Sequence, residues 1–351
     1  MSATSDIAWT DATANFWIGC TKVSPGCQNC YAEAENRRRK WAAGGNWGKG
    51  APRKFTKAAE KTCRRLNAAA GRGEFFEIDL RKGSTFRGTL RDAIRQMGLA
   101  GVPTPGIGDI ARMVAARPRI FCHSLSDWLD DEVPAEWLAD MLAVIDACRN
   151  VDFLLLTKRP GNFAARMRAA ADNARLLSTR QFARHWAEGV AAPPHVAIGV
   201  SVESPETKHR IKDAFDEIPA GRYFASCEPL LAPLEYLWYY LTPKMLGPGA
   251  MNGNASFHSH DTKSLSWVIV GGESDQPGGK ARPFDLAWAR EIRDQCARFG
   301  TPFFFKQAGD TPISANAGEA ERITGKGGRD FASFPEDLRI RQFYEPFPAL
   351  K

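Results

Sequence analysis

Three cysteines stand close together in Gly19-Cys20-Thr-Lys-Val-Ser-Pro-Gly-Cys27-Gln-Asn-Cys30-Tyr31-Ala-Glu33, and no other stretch carries as much chemistry. Three thiolates on a loop bent by Ser24-Pro25-Gly26 can hold three irons of a [4Fe–4S] cluster. The fourth iron then has no ligand from the chain, and an open iron can bind and reductively split S-adenosylmethionine. The pattern points to radical chemistry rather than plain electron transfer. Zinc is the competing reading. A structural zinc site takes a fourth Cys or His, and this loop contains no His. The next cysteine, Cys63, lies beyond a basic, helix-like segment. Unligated thiols remain as the third alternative.

The other five cysteines, Cys63, Cys122, Cys148, Cys227 and Cys296, stand alone. A lone Cys is usually a small core residue, and disulfides are not expected in a reducing compartment. No run reaches the ~18 apolar residues of a membrane helix. No basic segment followed by an apolar core opens the chain, so the expected location is cytoplasmic. Net charge is +7 over 351 residues. Much of the excess lies in Arg37-Arg38-Arg39-Lys40, Arg53-Lys54, Lys57, Lys61 and Arg64-Arg65, with Trp41, Trp47 and Phe55 interleaved. Basic residues carrying aromatics suit DNA or RNA, through phosphate neutralisation and base stacking. A merely solvated basic face is the plain alternative.

Elements must hold such a loop in place, and their pattern is repetitive. Short apolar, β-rich runs recur at Arg119–His123, Val151–Thr157, His195–Val200, Arg222–Ser226, Trp267–Val270 and Pro302–Lys306. Asn15–Ile18 makes a seventh candidate, just before the cysteines. Near-continuous apolar runs separated by helical segments predict a parallel sheet covered on both faces, closing toward a barrel. Helical periodicity marks residues 134–145 and 285–296, the latter stopped at Gly300. Residues 71–117 and 236–264 break the rhythm and read as an insertion and a loop-rich segment. The tail, 310–351, reads as weakly structured.

Each strand run ends in polar residues. The ends carry Ser124, Ser126 and Asp127; Lys158 and Arg159; Ser201 and Glu203; Glu228; Gly271-Gly272-Glu273; and Lys306-Gln307. In a β/α barrel the C-terminal strand ends form one rim, and active sites are built there. Helix caps and surface loops would use the same residue types. Gly271 and Gly272 would let backbone approach a ligand, and Glu273 could accept from an ammonium group.

Taken in order, these runs resemble a phage-associated radical-SAM-like family. The resemblance rests on Gly19–Glu33, Phe121-Cys-His-Ser-Leu-Ser-Asp127, Leu155-Leu-Thr-Lys-Arg-Pro160, Ile198-Gly-Val-Ser-Val-Glu203, Ser226-Cys-Glu-Pro-Leu-Leu231, Val268-Ile-Val-Gly-Gly-Glu-Ser274 and Phe303-Phe-Phe-Lys-Gln307. It covers residues 8–309 and implies a partial (β/α) TIM-like barrel of the radical-SAM type with inserted loops. A wider superfamily that includes spore photoproduct lyase, a DNA-repair enzyme, is implied with it. One departure stands out: six residues separate Cys20 from Cys27, where radical-SAM motifs usually have three. The resemblance implies Cys20, Cys27 and Cys30 on the cluster. With S-adenosylmethionine as cofactor, Tyr31, Ser124, Asp127, Ser201, Glu203, Gly271, Gly272 and Glu273 are the expected cofactor-binding positions. Lys158, Glu228 and Lys306 are left as catalytic candidates on a nucleic-acid base or lesion. A flavodoxin- or ferredoxin-type electron donor and a partner protein encoded nearby are the expected companions. Two rival readings remain, a zinc-dependent nucleic-acid-processing protein and a non-catalytic iron–sulfur redox or binding module.

Overall fold

A computed structural model describes residues 5, 7–39, 45–80, 85–89, 92–93, 110–190, 192–241 and 263–344. Along the chain run β1 (Ala12–Ala14), β2 (Trp17–Ile18), α1 (Tyr31–Arg39), β3 (Lys54–Phe55), α2 (Ala58–Gly71), β4 (Phe75–Leu80), β5 (Thr85–Thr89) and β6 (Ile110–Ala115). The βα units follow as β7 (Arg119–Cys122), α3 (Ala135–Ala147), β8 (Asp152–Thr157), α4 (Phe163–Asn173), α5 (Leu177–Ala187), β9 (Val196–Ser201) and α6 (His209–Glu217). The chain continues through β10 (Tyr223–Cys227), β11 (Leu265–Gly271), β12 (Phe284–Asp285), α7 (Leu286–Phe299), β13 (Phe303–Gln307) and β14 (Pro312–Ile313).

Seven strands form one sheet in the order β1-β7-β8-β9-β10-β11-β13, every pair parallel. It curls into a half-barrel. Mixed α/β architecture with this sheet is what the apolar runs predicted, and six of the seven runs became its strands within a few residues.

Period-two alternation divides the strands between two cores. Ile120, Phe153, Leu155, Ile198, Val200, Ala225, Val268 and Val270 join the core beneath the helices. Their neighbours Phe121, Leu154, Ala197, Phe224, Trp267, Ile269 and Phe304 form a second cluster with Trp9 and Tyr344 on the concave side. Phe224 folds over Gly199, where a Cβ would lie 2.2 Å from its ring. An aromatic floor therefore closes the concave side, and polar residues appear above it at the strand ends. Helix boundaries follow local chemistry. Asp285 caps α7 by accepting from the Ala287 N–H, and Gly300, at φ 66°, ends it.

The first strand differs from expectation. Asn15 ends it rather than starting it, because its side chain accepts from the Leu125 N–H at 2.8 Å and donates to Ser124 Oγ at 3.1 Å. Trp17–Ile18 then leaves the sheet and pairs antiparallel with Lys54–Phe55. The stretch 71–117 also holds more than loop. Its described part forms a three-stranded antiparallel sheet, β5-β4-β6. Its arginines find cross-strand acids: Arg87 faces Glu77, and Arg112 bonds Asp79 at 2.7 Å. Residues 81–84, 90–91 and 94–109 lie outside the described residues, as do 242–262 of the loop-rich segment, Lys40 and Trp41.

As far as Tyr344, the last described residue, the tail is packed rather than loose. Phe305 N–H donates to Ile340 O at 2.8 Å and Gln342 N–H to Phe303 O at 3.0 Å, giving β13 an antiparallel neighbour. Phe334 and Leu338 are buried. Its apolar residues dock one at a time, so no periodicity announced them. Among the described residues no helix is long and apolar enough to cross a membrane.

Candidate functional site

The cysteine loop leaves β2 through Gly19, at φ 114°, where a Cβ would meet the Asn46 carbonyl oxygen at 2.5 Å. A 3-10 turn spans Pro25–Cys27 and α1 starts directly after Cys30. Cys30 lies at that helix start, with the Glu33 and Ala32 N–H groups donating toward its sulfur. Cys20, Cys27 and Cys30 are free and half-buried, whereas the other five cysteines are free and fully buried. The five are core residues, and the three remain the candidates for ligands.

Side chains from three strand ends, and a backbone carbonyl from a fourth, pin this loop to the rim. After β8, half-buried Arg159 directs Nη1 and Nη2 to Cys20 Sγ, each at 3.6 Å, and Nη2 donates to Thr21 O at 2.6 Å. Arg159 is itself fixed by Asp127 at 3.0 Å. Asp127 also accepts from Thr157 Oγ1 at 2.8 Å and from the Lys158 N–H at 2.9 Å, joining the ends of β7 and β8. After β9, Glu203 accepts from Ser24 Oγ at 2.9 Å. After β11, Glu273 accepts from Asn29 Nδ2 at 3.0 Å. Arg282, held by the same carboxylate, donates to Pro25 O at 2.9 Å. Tyr31 closes the circuit, its hydroxyl donating to Ser124 O. Gly26 meets the rim so closely that a Cβ there would lie 2.4 Å from Glu203 Cγ.

Two lysine–glutamate pairs stand at the mouth. Lys158 Nζ is 3.2 Å from Glu203 Oε1, and Lys306 Nζ is 2.6 Å from Glu228 Oε1. Alternation puts all four on the concave side, above the aromatic floor, together with Ser201. Arg210, from α6, reaches Glu203 Oε2 and the Ser201 carbonyl, both at 2.8 Å. Burial pushes the Glu203 carboxyl up, but Lys158 and Arg210 prevail and hold it below the usual range. Burial drives the Cys20 thiol up to about 12 against the pull of Arg159.

The structure thus gathers Lys158, Glu203, Ser201, Glu228, Lys306, Tyr31, Ser124, Asp127 and Glu273 around one loop. Several are already engaged. Glu273 is taken by Arg282 through two guanidinium nitrogens, at 2.5 and 2.9 Å. Gly272 serves packing, since a Cβ would lie 2.3 Å from Ala308 O. Gly271 makes room for Glu228, whose Oε1 would be 2.8 Å from its Cβ. Arg282, Arg210 and Asn29 escaped the sequence reading as site residues. Arg159 stands beside Lys158 at the same strand end, but nothing in sequence says which of two adjacent cations reaches Cys20. The N-terminal basic run looks different in space. Arg37, Arg38 and Arg39 pair with Glu33 and Glu35, and Arg53 is buried against Asp130 at 2.9 Å.

The donor set suits an iron–sulfur cluster: three disulfide-free thiols, no histidine in the loop, and cationic Arg159 beside the first sulfur. Among the described residues no three Cys, His, Asp or Glu side chains are grouped so that they could hold a metal ion as they stand.

Fold and site together define a mixed α/β protein with a curled parallel half-barrel and a cysteine loop clamped to its strand-end rim. The chain belongs to the family described as protein of unknown function (DUF5131), whose model matches residues 4–335. No curated protein and no solved structure matches it.

Proposed function

We propose that this protein is a radical-SAM-like iron–sulfur enzyme acting on a nucleic-acid base or lesion. One observation carries the reading: three free, half-buried cysteines on a loop clamped to the rim of a parallel half-barrel by side chains from three strand ends and by Tyr31 on the Ser124 carbonyl. Cys20, Cys27 and Cys30 would hold the [4Fe–4S] cluster. When bound, the cluster supplies one-electron reductive cleavage of S-adenosylmethionine, with the electron drawn from a flavodoxin- or ferredoxin-type donor.

The chain's own residues supply position and charge. Arg159 and Lys158 bring positive charge to the thiolate side of the mouth, which favours an anionic centre there. Asp127 holds Arg159 in place, and Glu203 holds Lys158. The aromatic floor excludes water from below, so groups at the mouth interact through a less screened medium. Lys306 Nζ donates to Glu228 Oε1 and can pass that donation to a substrate oxygen or nitrogen. The net charge of +7 favours a polyanionic substrate.

Anaerobic reconstitution tests the reading. The expected outcome is iron and sulfide in equal amounts, and release of 5′-deoxyadenosine from S-adenosylmethionine on reduction. Cys30→Ala should abolish iron uptake, whereas Cys296→Ala, altering a core thiol, should leave it intact. Zinc without iron would return the zinc-dependent alternative. A cluster that never cleaves S-adenosylmethionine would leave a redox or binding module.

A further inference from the structure

Residues 324–330, Thr-Gly-Lys-Gly-Gly-Arg-Asp, belong to the tail yet pack on the loops that follow β11 and β13. The contact is backbone-tight. A Cβ on Gly328 would lie 2.3 Å from Gly309 O, and one on Gly327 would lie 2.5 Å from Ser274 Oγ. Both glycines have positive φ, 58° and 70°. Gly328 O accepts from the Ala308 N–H at 3.0 Å, and the Gly327 N–H donates to Asp310 Oδ1 at 3.0 Å. This segment is fixed to the rim, and it delivers Arg329.

Arg329 uses only one nitrogen to hold its place. Its Nε donates to Gln307 Oε1 at 3.0 Å, and Gln307 is anchored in turn on Gly272 O and Ser274 Oγ. Among the described residues, its Nη1 and Nη2 have no hydrogen-bond partner. The residue is exposed, unlike Arg159, Arg210 and Arg282. Ser274, which Gly327 meets, follows Glu273, and Glu273 accepts from Asn29 of the cysteine loop at 3.0 Å, so the tail borders that loop two residues before Tyr31. Tyr31 pairs a tethered hydroxyl with a side chain that is 45% exposed. A flat ring held by its far end and a guanidinium with its fork open are complementary to a base and a phosphate.

We propose that Arg329 and Tyr31 form a nucleotide-binding pair at the mouth, the guanidinium taking a backbone phosphate and the ring stacking an unpaired base. This rests on the nucleic-acid reading above and names the residues that would read such a substrate. The tail is then a wall of the site rather than an appendage.

Binding of a short, fluorescein-labelled single-stranded DNA, titrated across salt concentrations, tests the pair. Each phosphate contact in a single strand contributes about 0.7 to the slope of log affinity against log salt. Arg329→Ala should lower that slope by about 0.7 and weaken low-salt binding several-fold. Arg329→Lys should keep the slope. Tyr31→Ala should weaken binding about 10-fold at every salt concentration and leave the slope alone, because stacking releases no counterions. Tyr31→Phe, which keeps the ring but frees it from Ser124 O, should bind more weakly than the parent and more tightly than Tyr31→Ala. Iron content of Arg329→Ala should match the parent, separating a lost contact from a lost cluster. Parent-like affinity and slope in Arg329→Ala would overturn the pair while leaving the substrate class standing. Absence of salt-dependent binding by the unaltered protein would sink both.

Discussion

At the scale of single residues, buried charge at this site is committed before any ligand arrives. Asp127, Glu203 and Glu273 each face a guanidinium, and the same guanidinium or carboxylate also holds a loop atom. Removing one partner would leave the other buried and unpaired, which is why such pairs fix geometry even where they add little stability. His123 behaves differently, because it is buried without a charge partner strong enough to keep it protonated. It adopts φ 68°, lies 2.7 Å from Ser126 Oγ through Nδ1, and packs against Trp17 with ring centroids 3.9 Å apart and planes tilted by 37°. Burial lowers its pKa from 6.5 to about 3, with Asp127 opposing. Between those values the unfolded chain binds the proton and the folded one does not. Stability should therefore fall as pH drops below about 6.5, by up to ~1.4 kcal/mol per pH unit. Asn tolerates the left-handed backbone, so His123→Asn should flatten the decline of Tm with falling pH. Equal slopes in the two proteins would place the responsible titration elsewhere.

At the scale of elements, the cysteine loop owes its shape to the strand ends more than to itself. Its own turn, Pro25–Cys27, is a single 3-10 element, while four strand-end side chains hold it from outside. Gly26 is where that contact is closest. Glu203 cannot yield there, because Ser24, Lys158 and Arg210 hold it. Gly26→Ala should displace the loop at a cost of about 1–3 kcal/mol and cut iron uptake severalfold, with far-ultraviolet circular dichroism retained. Gly161→Ala, where nothing lies within 4 Å of the new Cβ, is the control and should bind iron normally. Equal uptake by both variants would show that the loop is not seated against Glu203. The βα repeat was readable because β8 and its neighbours are short apolar runs buried on both faces. The departure of Trp17–Ile18 from the sheet was not, since it depends on Asn15 meeting residues 124 and 125, far along the chain.

At the scale of the whole molecule, the tail completes what the half-barrel leaves open. It gives β13 an antiparallel neighbour, adds Tyr344 to the aromatic floor, and fixes Arg329 on Gln307 at the end of β13. Phe334 is its main anchor, 4.9 Å from the Phe305 ring. Phe334→Ala should cost about 3–5 kcal/mol in urea unfolding monitored by tryptophan fluorescence. A loss below about 1 kcal/mol would mean that the tail does not share the fold's cooperativity.

By itself the amino-acid order determined the class of fold, the strand runs, the three-cysteine loop and most polar positions of the rim. Those features are local: burial on both faces and thiol spacing are written in neighbouring residues. Tertiary structure alone decided that Arg159 rather than Lys158 turns to Cys20, that Glu273 belongs to Arg282, and that Arg329 is held on Gln307. Each of these depends on which distant segments meet, and charge has no periodicity along the chain from which such meetings could be read.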